Sequence, residues 1–569
     1  MPSNGDTLKV FRVGSANVSG LGSFHKSLPH NQFGEVDPQA FEALVDACTG
    51  NGSGFAAVPL GAADAAPLIN PQAGLAADKL TQHPAAYAMP PAPTVLSDST
   101  AAEMTELYWM ALLRDLPFNE WTGHADVIAA AAELDTRFKQ AAANGSDPGA
   151  LRAGRDLPGA DGAVPSITSA NLFRLGLPGE EIGPMLSQFF VRPVPYGTQT
   201  IDARQRPYKA GAEADYLVDF PSWLDAQNRG RDAAGQDYGR ANEDIAARFE
   251  AADRYISTMR DLARFVNKDA LHQAYFNGAL LMLSGGAAWT PGSPYASGAR
   301  LSAREAGFGV LGGPHIIALV AEVATRALKV VWNQKWQVNL RLRPEAYGGL
   351  LHVQEIGVGK MTRAYGLPSW LPATQAAGKV RNLHGTLLLP MAFTPGSPTH
   401  PAYGAGHATV AGACVTLLKA FFRLLDDDGM PLKFDTLLER DQPYGAKSKA
   451  KAYLTGRDSA GVWQRFPLSA SDEGALTIEG ELNKLAQNVA MGRSMGGVHW
   501  RSDNSRSLLL GEAIAAEMLA HITTDTNEHP AFVFRSFARN ANAQPKMIEV
   551  HGGRVYVDGA LHGTHFSKV

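Results

Sequence analysis

The stretch that decides the fold, Thr399 to Ala413, reads THPAYGAGHATVAGA. A Gly-Ala-Gly turn leads into His407 and an apolar run, which predicts that a buried helix begins here. The first turn of a helix carries backbone N–H groups without intrahelical acceptors at the positive end of the helix dipole. Glycines before it let the backbone approach an anion closely. The stretch indicates an anion-binding helix N-terminus, although a Gly-rich turn without a binding role would show the same sequence pattern.

Composition describes a globular protein without an obvious polymeric partner. Of the 569 residues, 45% are hydrophobic and 19% are charged, and the formal net charge is -4. A protein of this charge is not expected to bind nucleic acid. The N-terminal residues lack a signal-peptide pattern, and no apolar run approaches the length of a transmembrane helix. We expect a soluble protein, cytoplasmic or exported as a trimmed precursor, with no membrane partner.

The two cysteines, Cys48 and Cys414, exclude a disulfide framework and a cysteine-based zinc site. Cys414 falls on the predicted buried helix, where a packing role is expected, although a single disulfide is not excluded by the count.

Apolar residues at three- and four-residue spacing predict a mainly α fold. We predict one large domain, 1–569, with an extended N-terminal arm at 1–120, a helical catalytic core at 240–525 and a β-hairpin at 546–559 around Gly552-Gly553. Long loop insertions separate the helices, and the arm is expected to dock on a neighbouring subunit. The clearest predicted helices are 125–143, 242–266, 315–336, 407–425 and 504–522.

Two further segments carry residues that suit an anion site. KWQVNLRLRPEA places Lys335 and Arg343 eight residues apart at a helix end, where the alternative is a solvated helix C-terminus. GRSMGGVHWRSD contains Arg493, His499 and Asp503. The last two share a helix face, so Asp503 can fix the imidazole tautomer, although an ordinary His–Asp pair is the alternative.

The order of these pieces resembles the signature of vanadium-dependent haloperoxidases and the related acid phosphatases. The signature is a lysine and an Arg-Pro eight residues later, then Gly-x-Gly-His, then Arg-x-x-x-Gly-x-His-x-x-x-Asp. The segments LPHNQFGEV (28–36), FGVLGGPHIIALVAEVATRALKVVWNQKW (308–336) and PTHPAYGAGHAT (398–409) look like the bromoperoxidase branch of red algae and cyanobacteria. The resemblance spans most of the chain and implies a core of two packed four-helix-bundle-like units.

The resemblance implies a vanadate cofactor and an enzyme that oxidises halide with hydrogen peroxide and halogenates small organic acceptors. Vanadium would be bound by His499, with Asp503 behind it, and His407 would be the acid/base group. Lys335 would also polarise the peroxide. The remaining vanadate contacts would come from Lys335, Arg343, Arg493, Gly497, the position of Ala405 and the N–H of Gly406. The helix N-terminus is expected to lower the pKa of His407. A structural calcium ion is left open.

Two residues bear on the halide, and they point in opposite directions. His400 resembles the bromoperoxidase choice, where the chloroperoxidase branch tends to carry Phe. Trp332 resembles the chloroperoxidase choice, where red-algal bromoperoxidases tend to carry Arg. Either residue can also be a plain part of the pocket wall. Bromide is expected because it is easier to oxidise, with chloride and iodide as alternatives.

One position departs from the family pattern. The family usually has Pro-Ser-Gly-His where this chain has Gly-Ala-Gly-His, so the Ala405 methyl replaces a serine hydroxyl that reaches vanadate. Ala405 favours one alternative, a vanadium-free, non-halogenating homologue. A second alternative is an acid phosphatase, in which His499 attacks phosphorus, because phosphate and vanadate have the same shape. The family resemblance also implies a homo-oligomer, as dimers or as a dodecamer.

Overall fold

The computed structural model describes residues 6, 9–13, 16–50, 52–78, 81–144, 166–240, 246–440, 447–540 and 542–562. These residues are mainly α-helical, as the periodicity predicts. The helices are α1 (Pro38–Thr49), α2 (Asp98–Leu112), α3 (Ala125–Ala143), α4 (Phe220–Arg229), α5 (Met259–Lys268), α6 (Gln273–Ser284), α7 (Gly313–Asn333), α8 (Pro344–Glu355), α9 (Gln375–His384), α10 (Gly406–Phe421), α11 (Ala470–Glu473), α12 (Ile478–Met495) and α13 (Arg501–Asp525).

Helix α10 lies at the centre of the core and packs against α7, α12 and α13. Every residue of α10 except His407 is buried, which explains why its sequence is apolar and small on all faces. The helices predicted at 125–143, 315–336, 407–425 and 504–522 are confirmed, with ends that differ by up to four residues. The chain therefore places the Gly-Ala-Gly turn before His407 at one end of an almost fully buried helix.

The helix predicted at 242–266 is wrong over most of its length. Only α5 forms, and Thr258 caps it by accepting a hydrogen bond from the Asp261 N–H. Upstream, Phe249 and Arg254 pair through the backbone with Tyr208 and Gln205 instead of continuing the helix. Residues 242–245 of this prediction lie outside the described residues.

Two glycines set the contact between α10 and α13. A Cβ atom on Gly412 would lie 2.0 Å from the Leu508 carbonyl oxygen, and one on Gly511 would lie 2.0 Å from the Thr409 carbonyl oxygen. The two backbones therefore touch where the helices cross, at a separation that no larger residue allows. This close crossing brings the N-terminal ends of α10 and α13 to the same part of the core.

Strands are short and lie at the periphery. The hairpin predicted at 546–559 is formed by two strands of a four-stranded antiparallel sheet, in the order β12-β11-β10-β9, and each other sheet is a two-stranded pair. The strands are β1 (Val10–Val13), β2 (Ala16–Ser19), β3 (Val194–Tyr196), β4 (Gln199–Ile201), β5 (Leu438–Arg440), β6 (Lys447–Lys449), β7 (Tyr453–Arg457), β8 (Trp463–Pro467), β9 (Phe532–Arg539), β10 (Pro545–His551), β11 (Arg554–Val557) and β12 (Ala560–His562).

The N-terminal region, 1–120, contains both helix and extended chain. Helix α2 is buried against α3 and α9, and its Glu103 and Glu106 form ion pairs with Arg341 and Arg501 of the core. The division of the chain into an arm and a catalytic core stays a prediction. Both cysteines are buried free thiols. Within the described ranges, no helix combines the length and the apolar character needed to cross a membrane.

Candidate active site

The site forms where the ends of five helices meet. Lys335 lies in a π-helical turn, Gln334–Asn339, that ends α7, and Arg343 is the residue before α8. Arg493 lies in the last turn of α12 and His499 in the link to α13, while His407 lies in the first turn of α10. Helix ends carry unpaired backbone groups, so this convergence surrounds the side chains with main-chain donors and acceptors.

Main-chain carbonyls hold the three cations in place. The Lys335 Nζ donates to the Pro401 carbonyl at 2.8 Å and to the Ala402 carbonyl at 3.1 Å. Arg343 donates to the His400 carbonyl at 2.9 Å and to the Val498 carbonyl at 2.6 Å.

Arg493 donates to the Val266 carbonyl at 2.8 Å and to the Tyr238 hydroxyl. Among the described residues, no carboxylate lies within ion-pair distance of Lys335, Arg343 or Arg493. All three side chains are buried.

The positive charges of these residues lower the pKa values of their neighbours. Burial, followed by the charge of Arg343, lowers the pKa of Lys335 well below its usual range. Burial and the charge of Arg493 lower the pKa of Arg343 to about 9. The charged forms of these buried groups are unfavourable, so an anion bound between them would stabilise the site.

The donors that remain fit a tetrahedral oxyanion such as vanadate. The Arg493 Nε atom is buried and has no hydrogen-bond partner among the described residues. Helix α10 has no side-chain cap, so the N–H groups of its first turn, starting with Gly406, are free to donate. Three buried cations and these donors match the several negative charges and acceptor oxygens of vanadate.

A hydrogen-bonded chain orients His499. Its Nδ1 lies 2.9 Å from Asp503 Oδ2, which also accepts from the Trp500 N–H. The other Asp503 oxygen accepts from Arg341 at 2.7 Å, and Arg341 also pairs with Glu103. Since Asp503 fixes the proton on Nδ1, Nε2 keeps its lone pair and lies 3.1 Å from Arg343 Nη1. Burial lowers the pKa of His499 well below 6.5, which keeps the ring neutral.

His407 has a carboxylate partner that sequence reasoning missed. Its Nε2 lies 3.0 Å from Asp269 Oδ1, just beyond the end of α5, and no described residue bonds its Nδ1. Burial is the largest influence and lowers the pKa of His407, while the charge of Asp269 raises it. The pKa of His407 is therefore lowered as expected, but its main cause is burial and not the helix N-terminus.

His400 and Trp332 share one wall of the site. Their ring centroids are 4.9 Å apart, and Lys335 Nζ lies 5.6 Å from the Trp332 ring. The His400 Nδ1 lies 2.9 Å from Arg343 Nη2. The Trp332 indole donates to the Ile69 carbonyl, so the N-terminal region covers this wall. The two residues expected to bear on the halide therefore lie in contact beside the cations.

Ala405 and Gly497 lie in the turns that lead into α10 and out of α12, beside the site. Ala405 is the residue before α10, and its N–H donates to the Ser507 hydroxyl at 2.8 Å. Gly497 has a φ of 84° in the turn that leads from α12 to His499, and its N–H donates to the Ser494 carbonyl. The Gly497 N–H is therefore already occupied, and its contribution in this geometry is the left-handed turn.

Three buried cations that form no ion pair with a described carboxylate lie at converging helix ends beside His407 and His499, an arrangement that suits a compact oxyanion. Residues 315–528 match the family model described as the VCPO second helical-bundle domain. The chain is 34% identical to a vanadium-dependent bromoperoxidase of Corallina pilulifera, over 89% of this chain and 88% of that protein. It is 33% identical to one of Ascophyllum nodosum, over 93% of this chain and 87% of that protein.

A solved structure shares the fold. The homohexameric second vanadate-dependent bromoperoxidase of Ascophyllum nodosum matches with a TM-score of 0.76 and 30% identity, over 96% of this chain and 87% of that one. The chain belongs to the vanadium-dependent bromoperoxidase family. Where the structure describes the chain, no group of three or more His, Cys, Asp or Glu side chains is placed to hold a metal ion, so it adds no support for the calcium ion left open above.

Proposed function

We propose that this protein is a vanadate-dependent haloperoxidase that oxidises bromide with hydrogen peroxide to a hypobromous acid equivalent. One observation carries the proposal: three buried cations that form no ion pair with a described carboxylate lie around His499, whose Nε2 keeps its lone pair and contacts only Arg343 Nη1 among the described residues. Family membership adds the identity of the anion, since relatives with this fold are named for vanadium and bromide.

The cofactor-binding residues follow from the free donors. His499 would bind vanadium through Nε2, while Asp503 and Arg341 hold the ring in that orientation. Arg343, Arg493 and Lys335 would neutralise the vanadate oxygens, and the Gly406 N–H would donate to one of them. When bound, vanadate supplies Lewis-acid activation of hydrogen peroxide without a change of oxidation state.

His407 would accept a proton from hydrogen peroxide at Nδ1. The Asp269 carboxylate holds the opposite nitrogen, which fixes the ring orientation and stabilises the imidazolium that forms. Because burial lowers the pKa of His407, the neutral form that can accept a proton is present at neutral pH. Lys335 would then polarise the peroxide for attack by halide.

We propose bromide as the preferred halide, with His400 and Trp332 as the wall against which it lies. Both curated relatives described above are named bromoperoxidases. The contact between these two rings makes them one surface, so a change in either alters the polarity that the halide meets. Chloride is the alternative substrate, because Trp332 resembles the residue of the chloroperoxidase branch.

We also propose that the protein forms a homo-oligomer. The solved relative from Ascophyllum nodosum is described as homohexameric. Dimers are the proposed building block, and light scattering coupled to size exclusion distinguishes a dimer, a hexamer and a dodecamer.

The decisive experiment compares two activities in one preparation. The apoprotein is loaded with orthovanadate and assayed for bromination of a phenol with bromide and peroxide, and the vanadate-free protein is assayed with a phosphate monoester. We expect bromination that depends on vanadate, bromide and peroxide together. Phosphate release without vanadate-dependent bromination would instead identify a phosphatase, and neither activity together with no bound vanadium would identify a non-halogenating homologue.

A further inference from the structure

A cavity of about 210 Å³ is lined in part by Asp269, the partner of His407. Its walls come from α5, α6 and the segments around 189–194 and 201–205. Asp269 contributes to this wall and also bonds His407, so the cavity adjoins the proposed proton acceptor. The cofactor contacts described above do not use it.

The cavity combines aromatic walls with a cation that lacks an acceptor. Phe189, Phe190 and Phe265 supply aromatic surface. The guanidinium of Arg264 lies over the rings of Tyr208 and Phe249, with 5.2 and 5.4 Å to the ring centroids.

Its Nε is buried without a hydrogen-bond partner, and no described residue forms an ion pair with it. Stacking on two rings holds this guanidinium in place, and its Nη groups, which no described residue bonds, can donate to an anion.

The other charges of the cavity are already paired. Arg204 forms a two-oxygen contact with Asp202, and Arg192 pairs with Glu439. Lys268 donates to the Gly239 carbonyl, and Asp269 is bonded to His407. Arg264 is therefore the lining cation whose donors are available to a ligand.

We propose that this cavity binds the organic acceptor of the halogenation as a single-ring aromatic carboxylate, with its carboxylate on Arg264 and its ring against Phe190 and Phe265. A cavity of roughly 150 Å³ is enough for a benzene ring, so the size suits one ring with its substituents. The proposal rests on the proposed function for the halogenating agent. With hypobromous acid, the aryl C–H bond is replaced by C–Br, and the released proton leaves with the hydroxide as water.

Binding is measured first, without peroxide, by equilibrium dialysis of the full chain against 4-hydroxybenzoate and its neutral methyl ester. We expect the acid to bind about tenfold or more tightly than the ester, the effect of one charge-assisted hydrogen bond. Arg264→Met should abolish this difference, whereas Arg204→Met should retain it because Arg204 is already paired with Asp202. The comparison of acid and ester on the unaltered protein needs no variant.

Bromination then tests the acceptor role. In the vanadate-loaded protein, the kcat/KM for the acid divided by that for the ester should fall about tenfold in Arg264→Met. Equal binding of acid and ester, a difference that survives in Arg264→Met, or an unchanged kcat/KM ratio would each overturn the proposal. Failure of the proposed function is seen separately, as the absence of iodide oxidation to triiodide without any organic acceptor.

Discussion

Ala405→Ser restores the hydroxyl at the N-terminus of α10, and its effect can be divided into two parts. Ala405 is fully buried, and it occupies the capping position of α10 without capping it. A serine oxygen there can accept a hydrogen bond from an N–H of the first turn. Its proton can at the same time be donated to a vanadate oxygen.

Each part has its own magnitude. Replacing alanine by serine at a helix N-cap stabilises the fold by about 1 kcal/mol, whether or not vanadate is bound. A hydrogen bond to a charged acceptor contributes about 1.5–3 kcal/mol, which is roughly ten- to hundredfold in vanadate affinity. The Ser507 hydroxyl already accepts from the Ala405 N–H at 2.8 Å, so this backbone position is held and need not move.

The assay separates the two parts with a matched control. Ala405→Gly improves the cap without adding a hydroxyl, so it should approach Ala405→Ser in unfolding free energy of the apoprotein. Vanadate titrations followed by elemental analysis should then show tighter binding for Ala405→Ser alone. If Ala405→Ser binds vanadate no more tightly than Ala405→Gly, the hydroxyl does not reach the anion and the reasoning is refuted.

Four other substitutions test the site and its frame. His499→Ala should abolish vanadium binding, since Nε2 of this ring is the proposed ligand, and elemental analysis that finds stoichiometric vanadium would contradict it. His407→Ala should retain vanadium while bromination falls about 10²–10⁴-fold, and an unchanged rate would move the proton-accepting role elsewhere. Asp269→Asn removes the charge that raises the pKa of His407, so the acid limb of the pH–rate profile should move to lower pH, and a move to higher pH would count against the pair. Gly511→Ala places a methyl group against the Thr409 carbonyl and should destabilise the fold by about 1–3 kcal/mol in urea, whereas wild-type stability would show that the crossing is loose.

Lys335 and Arg343 could be predicted from the sequence because they lie at a helix end that local patterns define, whereas Arg493 was proposed from the resemblance to the haloperoxidase signature and its helix, α12, was not predicted. The Gly-Ala-Gly turn before His407 and the proline after Arg343 mark such ends directly. The helix at 125–143 could be predicted because apolar residues recur at helical spacing along its whole length.

The partners of these residues could not be predicted. Asp269 lies 138 residues from His407 in the chain, and no periodicity connects them. Arg341 and Tyr238 were missed for the same reason, since their hydrogen bonds to Asp503 and Arg493 depend on tertiary packing. The helix predicted at 242–266 failed for a related reason. Arg254 pairs through its backbone with Gln205, and this tertiary contact outweighs the helical pattern of the local sequence.

The contact of the α10 and α13 backbones at Gly412 and Gly511 also fixes an order of assembly. His407 lies in α10 and His499 in the link that leads into α13, so the two residues proposed to act at the cofactor come together only after α10 and α13 have docked. A chain in which α13 is still separate therefore presents only part of the ligand set. Vanadate then binds the native state and not its precursors, and excess vanadate shifts the folding equilibrium toward completed molecules by mass action. The fraction of protein with bound vanadate would thus measure the fraction in which α10 and α13 have docked.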